Sequence, residues 1–307
     1  MRRLSIALIA AASTIALTQM ASAADLPRKA PVYVPPPPVA DWSGVYVGLE
    51  GGYGRGKQSA NGVSPGGCFD CLDAIAHDDL LLLVSPFDFY PDVAIPSVTQ
   101  RGWLFGGFAG VQKQWGSWVL GIEGDFDGAD IKGSATSSAV SNFDRIIMEY
   151  GPIEPTHISL THSVSIDSKI DELGSLRGKV GFVPAPNWLI YGTGGLAFAH
   201  VKNTLTDTSS FAERYSGDGK VVQDNGTFSN ITSAGTSMFG WAAGAGIDWK
   251  WPVDAGSAWV FGVEYLHYGF GDHTITLTDN AGGSFAFTAT AKVDTVKGRI
   301  SYLFSIH

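Results

Sequence analysis

The sequence is poor in charge, in basic residues and in cysteine, and each shortage excludes a class of protein. Only 16% of the 307 residues are charged, and 29 acidic residues against 20 basic ones give a net charge of −9. An acidic chain is a poor ligand for nucleic acid, so no nucleic-acid partner is expected. Two cysteines by themselves cannot complete a structural zinc site. We therefore expect neither a metal nor a cofactor.

Long apolar runs are also missing beyond the first residues. Residues 1–23 carry a basic start, a short apolar core and the small-residue ending Ala21-Ser22-Ala23. This pattern predicts a secretory signal peptide, cleaved between Ala23 and Ala24. After cleavage no run of about 18 apolar residues remains, so a mature chain that enters a membrane must cross it as strands.

A proline-rich leader follows the predicted signal peptide. It occupies residues 24–41 and includes the run Pro35-Pro36-Pro37-Pro38. Such a segment favours an extended polyproline spacer without a core of its own. We expect it to be a periplasmic leader, with residues 42–307 forming the folded domain.

Alternation with a period of two dominates the remainder, which contains most of the 39 glycines. Between Trp103 and Ile131, two alternating segments meet at Gly116-Ser117, which predicts a hairpin. In the second arm Leu120 and Ile122 share one parity, while Glu123 takes the other. Each arm has about the 9–11 residues that a tilted strand needs to cross a bilayer.

Eight such strands can be counted, joined alternately by short turns and long connections. The long connections cover about residues 54–101, 132–171, 203–237 and 271–291. Eight tryptophans fall at or near strand ends, where an aromatic girdle would lie: Trp42, Trp103, Trp115, Trp118, Trp188, Trp249, Trp251 and Trp259. The pattern predicts an all-β fold, an eight-stranded antiparallel transmembrane β-barrel with short periplasmic turns and long extracellular loops. A soluble lipocalin-like barrel is the alternative.

The strand that starts at Trp188 has the least regular pattern. Leu189, Tyr191 and Thr193 suggest one oily parity, but Leu196 and Phe198 interrupt the other, wetter parity. We expect Leu189 and Tyr191 to face lipid.

Short motifs add a resemblance to a known family. They are Trp42-Ser43-Gly44-Val45-Tyr46-Val47-Gly48, Gly262-Val263-Glu264-Tyr265-Leu266, Val296-Lys297-Gly298-Arg299-Ile300-Ser301-Tyr302 and the mature start Ala24-Asp25-Leu26-Pro27. In their order and spacing the chain resembles the small outer-membrane β-barrel proteins of alphaproteobacteria, the outer-membrane immunogenic or "porin family" group.

The resemblance implies a location in the outer membrane of a Gram-negative envelope and insertion by the barrel-assembly machinery. That machinery reads an aromatic C-terminal signal, here Tyr302 and Phe304, although the chain continues with Ser305-Ile306-His307. We expect a monomer whose partners are outer-membrane lipids and lipopolysaccharide, with an extracellular ligand of the loops as a further candidate.

The polar positions of the alternating strands include ionisable residues. These would meet inside an eight-stranded barrel, whose interior is just wide enough for side chains. The predicted lumen charge network consists of Glu50, Glu123, Asp125, Arg177, Lys179, Asp248, Glu264, Lys297 and Arg299. Buried charges must pair, which favours a salt-bridged plug and a structural, surface-exposed protein that contributes to envelope integrity. The alternative is a porin that conducts small solutes or ions past the same charges.

Two further groups of residues leave other chemistry open. Cys68 and Cys71 predict a small disulfide loop in an exported protein, with a thioredoxin-like or a zinc site as weaker alternatives. An outer-membrane lipid-modifying enzyme would need a surface Ser-His pair, for which the candidates are His157, Ser159, His162 and Ser163, beside Glu149 and Glu154. No nucleophile elbow accompanies them, so we expect no enzyme. His267 is expected at the interface or in the lumen.

Overall fold

The computed structural model describes residues 41–66, 90–146, 155–217, 220–254, 256–278 and 284–305, and these form an all-β fold. The strands are β1 (Gly44–Asn61), β2 (Val63–Ser64), β3 (Val93–Ala94), β4 (Val98–Trp115), β5 (Trp118–Ile146), β6 (Pro155–Ala185), β7 (Trp188–Gly217), β8 (Lys220–Asp254), β9 (Ser257–Thr278) and β10 (Ser284–Phe304). Eight of them close into a ring in the order β1-β10-β9-β8-β7-β6-β5-β4. The predicted antiparallel barrel is confirmed.

Closure depends on β1, which pairs antiparallel with both β10 and β4. At one end of the barrel the strands are joined by tight turns. The β4–β5 turn occupies Gly116 and Ser117, and Gly116 has a φ of 59°, a left-handed conformation that favours glycine. The short connection predicted there is confirmed.

The outward face carries an apolar band. On β5 it consists of the outward positions from Trp118 to Phe126, and on the other strands it consists of the outward residues at the same height along the barrel. Trp103 is 72% exposed and Ile247 47% exposed, whereas Glu264 and Lys297 on inward positions are fully buried. Large apolar side chains outside and charged ones inside are the arrangement of a barrel in lipid, because a soluble barrel buries its apolar parity. No helix among the described residues is long and apolar enough to span a membrane.

Two predictions about faces are wrong. Leu189 and Tyr191 lie inside the barrel, 0% and 2% exposed, while Leu196 is 70% exposed on the outward face. Trp42, predicted for the girdle, is only 1% exposed. It lies in the barrel interior at the short-turn end, where the Lys250 ammonium group lies 5.1 Å from its ring centroid. The other seven girdle tryptophans are exposed.

Much of the predicted loop sequence is strand. β5 to β8 are 29 to 35 residues long, so they continue well past the apolar band. We call this continuation the projecting sheet: residues 133–146, 155–170, 199–217 and 220–238. The alternating pattern of Ser and Thr with small or apolar residues supports strands here, although its outward face is too polar to be read as membrane-crossing.

A bulge marks the base of the projecting sheet on β6. Ile170 pairs with Val201 and Glu172 with His200, which leaves Asp171 as an extra residue. Odd-numbered residues of β6 point inward below the bulge, as at Arg177, and even-numbered ones point inward above it, as at Ile166. An extra residue reverses the faces of everything beyond it.

Several predictions fall outside the described residues and stay predictions. They are the signal peptide with its cleavage site Ala23-Ala24, the leader up to residue 40, the Cys68–Cys71 disulfide and the ending Ile306-His307. Tyr302 and Phe304 are described: both point outward on β10, with ring centroids 4.8 Å apart. Their role as an assembly signal stays a prediction.

Candidate functional site in the barrel lumen

The lumen is built in three layers. At the short-turn end an apolar plug includes Trp42, Phe108, Val119, Leu189 and Leu303. The middle layer holds the charged side chains. At the far end lies a second apolar core. There, inward-facing residues of the barrel strands pack against Val93 and Ile95, which belong to residues 62–66 and 90–97, called here the β2–β3 segment. The charged layer is therefore closed off from water by apolar side chains at both ends.

Arg177 of β6 is the centre of the charged layer and is 1% exposed. Its guanidinium group contacts three carboxylates: Glu123 at 2.9 Å, Asp125 at 2.8 Å and Glu264 at 3.1 Å. Its Nε donates to the Ser175 hydroxyl at 2.7 Å. A planar fork of donors suits this position, because one arginine on β6 can join two carboxylates of β5 and one of β9.

Arg299 of β10 repeats the arrangement from the opposite wall. Its nitrogens lie 3.1 Å from Glu50, 2.7 Å from Glu123 and 3.1 Å from Glu264. The guanidinium group also donates to the Tyr191 hydroxyl at 2.7 Å. Glu123 and Glu264 are thus shared by two arginines, which links β5, β6, β9 and β10 through one continuous network.

Lys297 of β10 lies among three carboxylates. Its ammonium group is 2.7 Å from Glu50 and 3.8 Å from Asp125, and it donates a hydrogen bond to Asp127. Oxygens of these three carboxylates cluster closely enough to ligate a metal ion. The lysine ammonium already supplies a cation there, so the arrangement acts as an internal ion pair rather than as a metal centre.

Lys179 and Asp248 form a separate pair, 3.0 Å apart, next to the apolar plug. The Lys179 ammonium also lies 3.8 Å from the ring centroid of Tyr191, a cation–π contact. All nine residues proposed for the lumen are therefore inside the barrel: seven belong to one connected network, and Lys179 and Asp248 form the separate pair.

Three members of the lumen were missed. Asp127 is fully buried beside Lys297, although it continues the parity of Glu123 and Asp125 and could have been included for that reason. Tyr46 donates to Glu123 at 2.8 Å and Tyr191 donates to Glu264 at 3.1 Å. Tyr46 has the parity of Glu50 and could also have been included, whereas Tyr191 belongs to the strand with the least regular pattern.

The packing leaves almost no room for solvent. A cavity bounded by Tyr46, Lys179, Asp248 and Arg299 measures about 10 Å³, which is the volume of a single water-sized probe. This cavity is too small to hold a hydrated ion.

A buried histidine closes the far end of the lumen. His162 of β6 is 1% exposed and points inward, with its Nδ1 2.8 Å from the Pro91 carbonyl and its Nε2 2.9 Å from Asp207. The other oxygen of Asp207 accepts a hydrogen bond from Ser64 at 2.6 Å. These contacts fasten the β2–β3 segment against the inner face of the projecting sheet.

The residues considered for a surface enzyme are divided between the two faces of β6. His162 faces inward, whereas His157, Ser159 and Ser163 have the opposite parity and face outward. His157 contacts Asp144 on the neighbouring strand and borders a surface cavity of about 450 Å³ with Ser159. Glu149 and Glu154 lie outside the described residues. His267 lies at the outer interface, 2.7 Å from Asp294 and 5.3 Å from the ring of Trp241.

Comparison with known sequences indicates in which membrane the barrel is located. The chain is 26% identical to the 31 kDa outer-membrane immunogenic protein of Brucella melitensis over 280 residues, 90% of this chain and 89% of the relative. The protein of the same name from Brucella suis matches equally well. The chain is an outer-membrane β-barrel protein related to these immunogenic proteins. The predicted location in the outer membrane is confirmed, and the long-strand end is the surface end. No family model matches the sequence.

Two solved structures align with most of the chain at low TM-scores. The attachment invasion locus protein Ail of Yersinia pestis aligns with 84% of this chain and 99% of its own, with 14% identity and a TM-score of 0.27. The outer-membrane protease OmpT of Escherichia coli aligns with 85% of this chain and 97% of its own, with 6% identity and a TM-score of 0.29. TM-scores this low support no argument about function.

Proposed function

We propose that the protein is a structural, non-conducting outer-membrane barrel that contributes to envelope integrity and presents the projecting sheet for contacts at the cell surface. The observation that carries the proposal is the filled lumen: the Arg177 and Arg299 networks occupy its middle, and apolar layers cover both ends. Six buried carboxylates against four buried cations in this layer form a self-paired set. A selectivity ring would instead leave charges of one sign facing an open path.

The projecting sheet supports the surface role. Its outward positions on β6 between His157 and Lys169 are Ser159, Thr161, Ser163, Ser165 and Asp167. Cross-strand hydroxyl pairs continue this polar face, with Thr204 3.0 Å from Ser233 and Thr208 3.3 Å from Ser229. A broad, rigid face of this kind suits contact with other surface molecules. We propose no enzymatic activity, because the outward Ser159 is not part of a nucleophile elbow.

Single-channel recording tests the proposal. Purified, refolded protein in a planar bilayer should give no stable discrete openings. Trp42→Ala, which removes the largest side chain of the apolar plug and leaves the charged network in place, should also remain silent. Discrete openings of the wild-type protein would favour the porin function instead. Openings confined to Trp42→Ala would show that the plug, and not the network, seals the barrel.

A further inference from the structure

Basic residues form a row across five neighbouring strands on the outward face. Each member lies directly opposite the next in the antiparallel register, from β1 through β4, β5 and β6 to β7. We call these residues the basic row: Arg55, Arg101, Lys132, Lys169 and Lys202. Like charges placed directly opposite each other destabilise a sheet. The row therefore needs anions close by.

At the β6–β7 end the chain supplies its own anions. Asp130 lies 3.0 Å from Lys132 and 3.0 Å from Lys169. Asp171 lies 2.6 Å from Lys202. Three of the five cations thus each contact a carboxylate, and Lys132 and Lys169 share one.

At the β1–β4 end the compensation is weaker. Among the described residues, no carboxylate lies within ion-pair distance of Arg55 or Arg101. Asp294 is opposite Arg55 in the register and attracts it electrostatically, but without a salt bridge, because the Asp294 carboxylate accepts hydrogen bonds from Tyr265 at 2.6 Å and His267 at 2.7 Å. One step farther from the bilayer, Lys57 of β1 lies opposite Lys292 of β10. Arg55, Lys57, Arg101 and Lys292 form what we call the basic cluster.

The level of the basic cluster indicates its ligand. Tyr53 and Trp103 lie two residues toward the bilayer from Arg55 and Arg101 and pack edge to face, with ring centroids 5.2 Å apart. They belong to the aromatic girdle at the membrane surface. Two residues along a strand span about 6.6 Å, so the cations stand at the height of the lipid headgroups.

The opposite wall of the barrel provides a contrast. Beyond Phe239, the outward positions of β8 are Ser237, Gly235 and Ser233, none of them basic. The basic row itself reaches Lys202, opposite Gly235 of β8, but the basic cluster, whose members form no salt bridge among the described residues, is confined to β1, β4 and β10, although every sector meets the same membrane surface. A general attraction to an anionic surface would not require this restriction, whereas one localised ligand would.

We propose that the basic cluster binds the phosphate groups of an anionic glycolipid in the outer leaflet. Arginine presents a fork of donors that matches phosphate oxygens, and lysine adds charge beside it. The exposed rings of Tyr53 and Trp103 below the cluster offer an apolar surface to the acyl chains of the same molecule. The inference depends on the membrane orientation of the barrel and not on whether its lumen conducts.

The test measures lipid retention by refolded full-length protein in detergent micelles, using native mass spectrometry and diphosphoryl lipid A as the probe. The double variant Arg55→Gln/Arg101→Gln should retain roughly tenfold less lipid, since each basic group near an anionic surface contributes severalfold to binding. Lys113→Gln is the matched control. It removes an exposed cation from the opposite, periplasmic end of β4 and should bind as the wild type does.

Further measurements distinguish a lipid phosphate from free inorganic phosphate, and loss of binding from loss of folding. Arg55→Lys/Arg101→Lys should restore most of the binding, and monophosphoryl lipid A should bind more weakly than the diphosphoryl form. Wild-type retention by the glutamine double variant, once its heat-dependent gel mobility has shown that it is folded, would overturn the proposal. Equal competition by inorganic phosphate at the lipid's concentration would overturn the lipid as the ligand.

Discussion

The two halves of β6 use one sequence pattern in opposite ways. Below the Asp171 bulge, Leu176 and Val180 point outward at 58% and 51% exposure, and Arg177 lies inside. Above the bulge, Val164 and Ile166 are fully buried inside, and the outward residues are polar. Even-numbered residues are mainly apolar and odd-numbered ones mainly polar in both halves. A single extra residue exchanges their faces where the strand leaves the bilayer.

The comparison shows how one strand can satisfy two solvents. In lipid the apolar parity must face outward, whereas in water it must face inward. A change of sequence pattern at the boundary could achieve this, and β8 does so where outward Phe239 gives way to Ser237. β6 keeps its alternation and changes its register instead. The bulge is therefore a structural device, not an irregularity.

Deletion of Asp171 should have the largest effect on this arrangement. Without the extra residue, one half of β6 must present the wrong face: either Ile166 and its neighbours turn to water, or Arg177 turns to lipid. We expect the deleted protein not to refold into lipid vesicles, as measured by its heat-dependent gel mobility. Asp171→Ala is the control, because it loses only the exposed contact with Lys202 and keeps the residue count. Normal refolding of the deletion would contradict the role of the bulge.

Removal of Arg177 tests the lumen half of the comparison. Arg177→Ala leaves Glu123, Asp125 and Glu264 with too few cations in a buried layer, which should lower the free energy of unfolding by about 3–5 kcal/mol. Urea titration in lipid vesicles measures the change. Lys132→Ala removes a cation from an exposed pair and should have little effect. Equal losses for both variants would show that the lumen network is no more important than a surface pair.

The outward face of β8 compares lipid with water directly. Ile247 lies in the apolar band, so Ile247→Arg should destabilise the barrel by roughly 2–4 kcal/mol. Ser233 has the same outward parity on the projecting sheet, and Ser233→Arg should change stability by no more than about 0.5 kcal/mol. The same urea titration gives both values. A neutral Ile247→Arg would mean that this face does not meet lipid.

The smallest effect is expected at the hydroxyl pairs of the projecting sheet. Thr208→Val removes one partner of a 3.3 Å contact with Ser229 on a solvent-exposed face and retains the β-branched shape. We expect a change of about 0.5 kcal/mol or less in the same titration, because water replaces the lost hydrogen bond. A loss comparable to that of Ile247→Arg would indicate that the outer face is buried against another molecule, and so identify a contact surface.

The sequence alone determined the architecture and most of the lumen. Period-two alternation, short turns alternating with long connections and the absence of long apolar runs are local features, and they led to eight strands in lipid. The same alternation placed Glu50, Arg177, Lys297 and their partners on inward positions, because charged side chains on strands in a bilayer are expected on the face away from lipid.

Where the pattern is ambiguous, only the tertiary structure decided which of the two alternating sets of residues faces outward and which faces the lumen. Alternation specifies two faces but not which is inside, so Leu189 and Tyr191 were assigned to the wrong side and Trp42 to the girdle. The extension of β5 to β8 beyond the bilayer was also hidden, since a polar strand in water resembles a loop in composition. Finally, the insertion of Lys297 among three carboxylates and the alignment of the basic row depend on register between strands far apart in sequence. Register is set by the closed hydrogen-bond ladders of the whole barrel and not by any one segment.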